Sequence, residues 1–244
     1  MRSLYGAIVN TNKKEIMVSV DAVYQKVLAI ANKEQRGYIT PQEFNLFADH
    51  AQMEIFDQYF YDLEQFKRRA GGDITELIQD KISVFKEITQ MTDSISLSTI
   101  PGFYKAIQVT KQDDSNIGGV AEKIEYKDYH ALQSAPLTKP TKTRPIFFIN
   151  SYGLAVYPQN TPEMTNSLRY IRKPVSPNWT YVIVGESAMF DDLVPGFSDF
   201  ELHHSEETLL VIKILQLAGI NIKDPALVQI ASQKEIKKTQ QEKQ

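Results

Sequence analysis

The segment from residue 41 to 69 constrains the fold most, because no glycine occurs in it and Pro41 is its only proline. Thr40-Pro41-Gln42-Glu43 reads as a capping box with proline at the first helical position. Gly71-Gly72 breaks the pattern at the other end. The sequence therefore predicts one helix over residues 41–69, roughly 43 Å long at 1.5 Å per residue.

The apolar residues of this long helix form two stripes, whereas a helix that packs against one partner needs only one. The second stripe consists of Met53, Phe56 and Phe60. Two stripes predict burial on two sides. The second side packs either within the helix's own domain or against a neighbouring subunit, and the sequence leaves both interpretations open.

The pattern of the remaining chain predicts an α+β fold. Apolar residues recur at helical spacing over 20–31 and 74–85, and short β-branched and aromatic runs between turn residues follow over 95–184. We expect an N-terminal helical hairpin with one long helix, a central antiparallel β-sandwich or barrel-like region, and C-terminal helices. The expected domains are a helical domain over 1–92, a β-rich domain over 93–200, and C-terminal helices and a tail over 201–244 that return to the helical domain.

Six segments have the composition of strands, and local signals mark several element ends. Asn150-Ser151-Tyr152-Gly153 predicts a hairpin turn, with Gly153 at positive φ. Ser205 is the expected cap of a helix that Gly219 closes, and Asp224-Pro225 opens another. The predicted strands are residues 103–109, 122–126, 145–150, 154–157, 167–172 and 181–184.

No pattern for chemistry is recognisable, so we predict no catalytic, cofactor-binding or metal-binding residue and no enzymatic activity. The chain has no cysteine, which excludes disulfides, thiolate ligands and thiol catalysis. His203 and His204 lie among glutamates, but adjacent histidines point in different directions, and the expected structure is an exposed polar turn. A hydrolase that uses unrecognised carboxylates remains an alternative, although the sequence favours no particular pair.

Membrane and nucleic-acid partners receive little support. No apolar run approaches the roughly 20 residues of a membrane span, and no secretory signal is recognisable, so we expect a protein made in a reducing cytoplasm. The net charge is −3. Two basic groups could make weak, non-specific contact with DNA: Lys139, Lys142 and Arg144 in a loop, and Arg169, Arg172 and Lys173 in and after a strand.

The aromatic residues of the β-rich region suggest a second class of function, a binding module for a carbohydrate or a receptor. Such a module uses exposed aromatic rings as stacking platforms. The candidate residues are Tyr152, Tyr157, Tyr170 and Trp179. Because aromatic residues in strands more often belong to the core, this is the alternative prediction.

Three blocks of sequence resemble phage head-to-tail connector and tail-ring proteins of podovirus-like and crAss-like phages. The first block is residues 31–45, which run into the long helix at Ala51-Gln52. The second combines 145–147, 156–158, 168–174 and 177–179. The third combines 200–202, 217–220 and 229–235.

The resemblance implies a virion protein without enzymatic activity, assembled in the cytoplasm of the host bacterium. It implies a homo-oligomeric ring, a dodecamer, that joins the portal protein to other tail ring proteins and continues the DNA channel through which the genome is ejected. For such a ring we predict a helix interface through Met53, Phe56 and Phe60. We also predict a C-terminal interface through Leu227, Ile230 and Ile236, and a projecting loop at 136–145.

Overall fold

A computed structural model describes residues 17–33, 38–68, 72–113, 119–159 and 164–219. The chain forms two compact units. A helical unit takes its residues from Met1–Lys81 and Pro174–Gln244, and a β unit consists of Ile82–Lys173. The predicted domain boundaries at 92 and 200 lie further along the chain than these two divisions.

The described part of the helical unit contains four α-helices and one β-hairpin. Helices α1 to α3 lead into the β unit, and α5 and the hairpin β8–β9 come after it. Their bounds are Val20–Lys33 (α1), Pro41–Arg68 (α2), Gly72–Ser83 (α3), Tyr181–Val184 (β8), Ser187–Phe190 (β9) and Glu207–Leu217 (α5).

Helix α2 begins as the sequence predicts. The backbone N–H of Thr40 donates to Glu43 Oε2 at 3.0 Å, and the N–H of Glu43 donates to Thr40 Oγ1 at 3.3 Å. The N–H of Thr40, and its hydroxyl, which donates to the same carboxylate oxygen at 2.8 Å, hold the pKa of the Glu43 carboxyl below its usual range. The capping box is confirmed, and the helix spans Pro41–Arg68; the predicted end at residue 69 lies outside the described residues.

Trp179 is the centre of the helical unit. Its side chain is 2% exposed, its ring centroid lies 4.3 Å from that of Tyr24, and its indole N–H donates to Asp21 at 2.9 Å. The amide side chain of Asn45 on α2 bonds the backbone N–H of Trp179 at 2.8 Å and its carbonyl at 3.2 Å. Side chains of α1 and α2 thus fix the segment that leads into β8.

Helix α5 packs against α1 and α2 in the helical unit. Lys26 on α1 pairs with Glu207 at 2.6 Å, and Glu54 on α2 pairs with Lys213 at 2.6 Å. Gly219 closes the helix at φ +71°, as predicted.

The predicted cap of α5, Ser205, is wrong, and the helix predicted at Asp224-Pro225 lies outside the described residues. Ser205 lies inside a short 3₁₀ turn, His204–Glu206, that precedes α5. The cap of that turn is His203, whose ring Nδ1 accepts from the backbone N–H of Ser205 at 3.2 Å. A histidine side chain can accept such a bond, but it is not among the residues by which helix starts are recognised.

The β unit contains a seven-stranded sheet in the order β1-β7-β3-β4-β5-β6-β2. All pairs are antiparallel except β4 with β5. The bounds are Lys86–Met91 (β1), Ser94–Ile95 (β2), Phe103–Asp113 (β3), Val120–Lys123 (β4), Ile146–Asn150 (β5), Gly153–Tyr157 (β6) and Met164–Arg172 (β7); a short helix, Tyr129–Ser134 (α4), lies between β4 and β5.

This sheet is a nearly closed barrel because its two edge strands are consecutive in the chain. Only Thr92 and Asp93 separate β1 from β2. The carbonyl of Asp93 accepts from the N–H of Val156 on β6 at 2.8 Å, and the side chain of Asn166 on β7 donates to Thr92 O at 3.1 Å. The link between the edge strands therefore bonds to both sides of the gap. The predicted α+β class with a barrel-like centre is confirmed.

The six predicted strands are all present, and the predicted hairpin turn joins β5 to β6. Asn150 Oδ1 accepts from the N–H groups of Tyr152 and Gly153 at 3.0 and 3.1 Å. Gly153 has φ +143°, and a Cβ there would lie 2.2 Å from the carbonyl oxygen of Ile95. A glycine is required because β2 passes directly over this position. Strands β1, β2 and β9 were not predicted.

Candidate interaction surfaces

The hairpin β8–β9, which we call the apolar hairpin, exposes most of its large side chains. Val182 pairs with Met189, and Ile183 pairs with Ala188. Because neighbouring residues of a strand point to opposite faces, Val182 and Ile183 place exposed apolar surface on both faces. The exposed fractions are 40% for Val182, 73% for Ile183, 58% for Val184 and 53% for Met189.

The base of the apolar hairpin is anchored in the helical unit. The rings of Tyr181 and Phe190 both stack on Trp179, with centroids 5.6 and 5.9 Å away. Thr180 and Asp191 extend the ladder, since the N–H of Asp191 donates to Thr180 O at 3.1 Å and the hydroxyl of Thr180 donates to Asp191 O at 2.6 Å. A fixed base with an uncovered apolar end presents a defined surface for binding.

A second exposed surface lies on the outside of the barrel, across β1, β7 and β3. Ile88 pairs with Arg169, and Ile107 occupies the bulge on the other side of Arg169. Ile88 is 62% exposed and Ile107 45% exposed. One step along the sheet, Lys86 and Lys105 both pair with Ile171, and both lysines are exposed. We call Ile88, Ile107, Lys86, Lys105 and Arg169 the outer barrel patch.

The two surfaces carry opposite charge. Between residues 174 and 206 there is no lysine or arginine, whereas Glu186 lies in the turn of the apolar hairpin and Asp191-Asp192 directly follow it. The outer barrel patch contains three cationic side chains and no anionic one. The β unit has eleven Lys and Arg against eight Asp and Glu, a net charge of +3, which leaves −6 for the rest of the chain.

The β unit also contains an open pocket of about 400 Å³. Its aromatic wall consists of Tyr129 on α4 and Tyr157 on β6, with ring centroids 4.6 Å apart. Burial and a hydrogen bond between these two side chains raise the pKa of Tyr129 to about 12. The remaining lining residues are Gln133, Lys139, Pro140, Pro158 and Gln159.

The four aromatic residues predicted to form stacking platforms do not lie together. Trp179 and Tyr170 are 2% and 3% exposed, and the Tyr170 hydroxyl donates to Glu87 at 3.0 Å. Tyr152 is 88% exposed at the β5–β6 turn, and Tyr157 lines the pocket. Trp179 and Tyr170 are therefore core residues. Tyr129, which the sequence analysis did not predict, is the aromatic residue that lies beside Tyr157 in the pocket.

The predicted interface stripe on α2 is mostly covered within the chain. Phe56 is fully buried, and its ring packs edge-on against Phe60 with centroids 4.9 Å apart. Met53 and Phe60 are half-buried. Phe56 therefore has no surface left for a neighbour. The predicted interface residues Leu227, Ile230 and Ile236 lie outside the described residues.

The basic groups predicted to touch DNA have different surroundings. Lys139 lines the pocket, and Lys142 and Arg144 are exposed in the loop before β5. Arg169 belongs to the outer barrel patch, whereas Arg172 pairs with Glu87 at 2.7 Å. In the predicted projecting loop at 136–145, residues 136–139 are exposed, and Leu137 is 92% exposed.

Two of the glutamates near His203 and His204 have lysine partners, and Glu201 accepts from the backbone N–H of Val175 at 2.8 Å. Glu206 bonds to Lys81, and Glu207 bonds to Lys26. Within the described part of the chain, no group of three or more His, Asp and Glu side chains could hold a metal ion. No helix in the described ranges is long and apolar enough to cross a membrane.

No protein-family model matches this chain, and no curated protein matches it either.

Proposed function

We propose that the protein is a structural subunit of a phage particle, a head-to-tail connector or tail-ring protein. Identical copies assemble into a ring, a dodecamer, that binds the portal protein or other tail rings. The ring continues the DNA channel of the virion and makes weak, non-specific contact with the DNA. The protein performs no reaction, and it is assembled in the cytoplasm of the host bacterium.

The exposed apolar hairpin is the observation that carries this proposal. A two-stranded hairpin is marginally stable in water on its own. Here, only the base packs on Trp179, and the far end exposes Ile183 and Val184. Exposed apolar surface of this kind marks a site of interaction with another protein. The exposed end of the hairpin is explained if a neighbouring subunit covers it in the assembled ring.

Electron microscopy of capsids that carry a portal but no tail tests the proposal. The purified protein is mixed with these capsids, and the portal vertex is averaged after negative staining. We expect ring-shaped density at the portal vertex. Capsid shells assembled without portal are the control. Absence of density at the portal, together with absence of rings in the free protein, would contradict the proposal.

The pocket beside Tyr129 and Tyr157 supports a second candidate, a binding module of a phage tail. Two tyrosine rings with amide and lysine side chains around them suit a carbohydrate, whose faces stack on aromatic rings and whose hydroxyls bond to polar groups. A glycan screen with the full chain tests this function, and Tyr157→Ala is the matched control. Binding that depends on Tyr157, without assembly at the portal, would favour this candidate.

A further inference from the structure

We infer that the apolar hairpin of one copy docks on the outer barrel patch of the next copy. This inference rests on the proposed ring, and it names the two surfaces that form the contact between subunits. The partner is a second copy of this chain.

The apolar hairpin requires a partner of complementary chemistry. Its most exposed side chains are aliphatic, and the charged residues that flank them in the chain are Glu186 in its turn and Asp192 beyond its base, both exposed. A partner must therefore offer apolar side chains surrounded by cations, because an acidic surface would repel the hairpin and leave its carboxylates unpaired.

The outer barrel patch has this composition. Ile88 and Ile107 provide exposed aliphatic surface on either side of Arg169, and Lys86 and Lys105 occupy the next row of the same three strands. Long cationic side chains next to aliphatic ones can cover apolar surface with their methylene groups and still reach an acidic partner with their charged ends.

The symmetry of this contact agrees with a ring. The hairpin and the patch are different surfaces, so each copy offers one of each and the contact is head to tail. Head-to-tail contacts between identical copies produce a ring when the rotation between neighbours closes. A contact between two hairpins would instead produce dimers and would place like charges together.

Cross-linking tests the contact directly, because the chain has no cysteine and each introduced thiol is unique. Ile183→Cys and Ile88→Cys are prepared as separate full-length proteins, one with a removable tag, and are mixed with a short bis-maleimide. The expected result is a mixed dimer that forms several-fold faster than with Leu137→Cys, a control position of the β unit that is 92% exposed. Equal rates for the two pairs would overturn the inference.

Charge reversal adds a second readout that does not depend on the thiol positions. Lys105→Glu with Arg169→Glu on the Ile88→Cys copy should slow cross-linking several-fold. Glu186→Lys with Asp192→Lys on the Ile183→Cys copy should restore it. The two mixtures are then compared: one with charges reversed on both copies, and one with charges reversed on the Ile88→Cys copy alone. If the first cross-links no faster than the second, charge complementarity does not select this contact and the inference fails.

These results separate the inference from the proposed function. Rings or portal attachment without selective cross-linking would leave the ring in place and would refute this contact. Selective cross-linking without rings or portal attachment would establish contact between copies and refute the connector function. Failure of both would refute both.

Discussion

The ammonium nitrogen of Lys111 lies 3.5 Å from Oδ1 of Asp93, and this ion pair connects β3 to the link between the two edge strands of the barrel. The side chain of Lys111 is fully buried, and its ammonium group also donates to the carbonyl of Pro158. A buried cation is tolerated only with such partners. The pair therefore helps to hold the barrel in its nearly closed form.

Removal of the carboxylate should destabilise the protein more than removal of the cation. Asp93→Asn leaves the buried ammonium without its counter-charge, and we expect a loss of about 1–3 kcal/mol in the free energy of unfolding. Lys111→Met removes the cation and should cost less, because the Asp93 carboxylate that remains is 26% exposed and keeps its bond from Asn166 at 3.1 Å. Urea unfolding of the full chain measures both values. If Asp93→Asn leaves the free energy of unfolding unchanged, the carbonyl of Pro158 and solvent are enough to stabilise the charge of Lys111.

The same lysine predicts a pH dependence with a definite sign. Burial lowers the pKa of Lys111, and Asp93 only partly offsets this effect. Between the lowered pKa and the ordinary value of 10.5, the unfolded chain binds more protons at this site than the folded chain. The free energy of unfolding must then rise with pH.

The comparison that isolates this effect is wild type against Lys111→Met. The difference in their free energies of unfolding should shift in favour of wild type as the pH rises toward 10.5, the upper end of that window. The tyrosines with raised pKa values are present in both proteins, so their opposite contribution cancels. A constant difference between neutral pH and the alkaline end would contradict the buried state of Lys111.

Two glycines with positive φ should respond differently to substitution by alanine. At Gly185, in the turn of the apolar hairpin, no atom lies within 4 Å of an added Cβ, so only backbone strain of about 1 kcal/mol is expected. At Gly153, φ is +143°, a value that L side chains rarely adopt, and an added Cβ would also clash with the carbonyl oxygen of Ile95 at 2.2 Å. We expect a larger loss for Gly153→Ala, because β2 must move. Equal losses in urea unfolding would show that β2 is not held over Gly153.

The stripe on α2 can be tested with one buried and one exposed position. Phe56→Ala should lower the free energy of unfolding by about 3–5 kcal/mol, because a fully buried aromatic ring leaves a cavity. Leu46→Ala, on the same helix at 72% exposure, should change it by less than about 0.5 kcal/mol. A folded Phe56→Ala monomer that fails only to assemble would instead support the predicted helix interface.

The sequence predicted the elements whose signals are local. The capping box at Thr40, the Asn150–Gly153 turn and the β-branched and aromatic runs of the six strands depend on neighbouring residues alone, and all of these elements are present. Strand β1, with the sequence KEITQM, has no such pattern, and its extended form comes from pairing with β7. Strand β2 has two residues, which is too short for any periodicity.

The candidate surfaces were less predictable because they depend on long-range packing. The polar run Lys111-Gln112-Asp113 lies beyond the predicted strand 103–109, yet β3 continues through it by pairing with β7, and Asp93 and Pro158 provide partners for the buried lysine. The apolar hairpin was half predicted, since β8 has a β-branched run and β9 does not. Gly185 was the available signal for its turn.

The most direct test of the connector account is the number of copies that bind to one capsid. Fluorescently labelled protein is sedimented with portal-bearing capsids and with shells that lack the portal, and the bound copies per particle are counted. The account predicts saturation at one ring of copies per portal-bearing capsid, no binding to portal-free shells, and loss of binding when Ile183 and Val184 are replaced by serine. Binding of single copies, or equal binding to both kinds of particle, would contradict it.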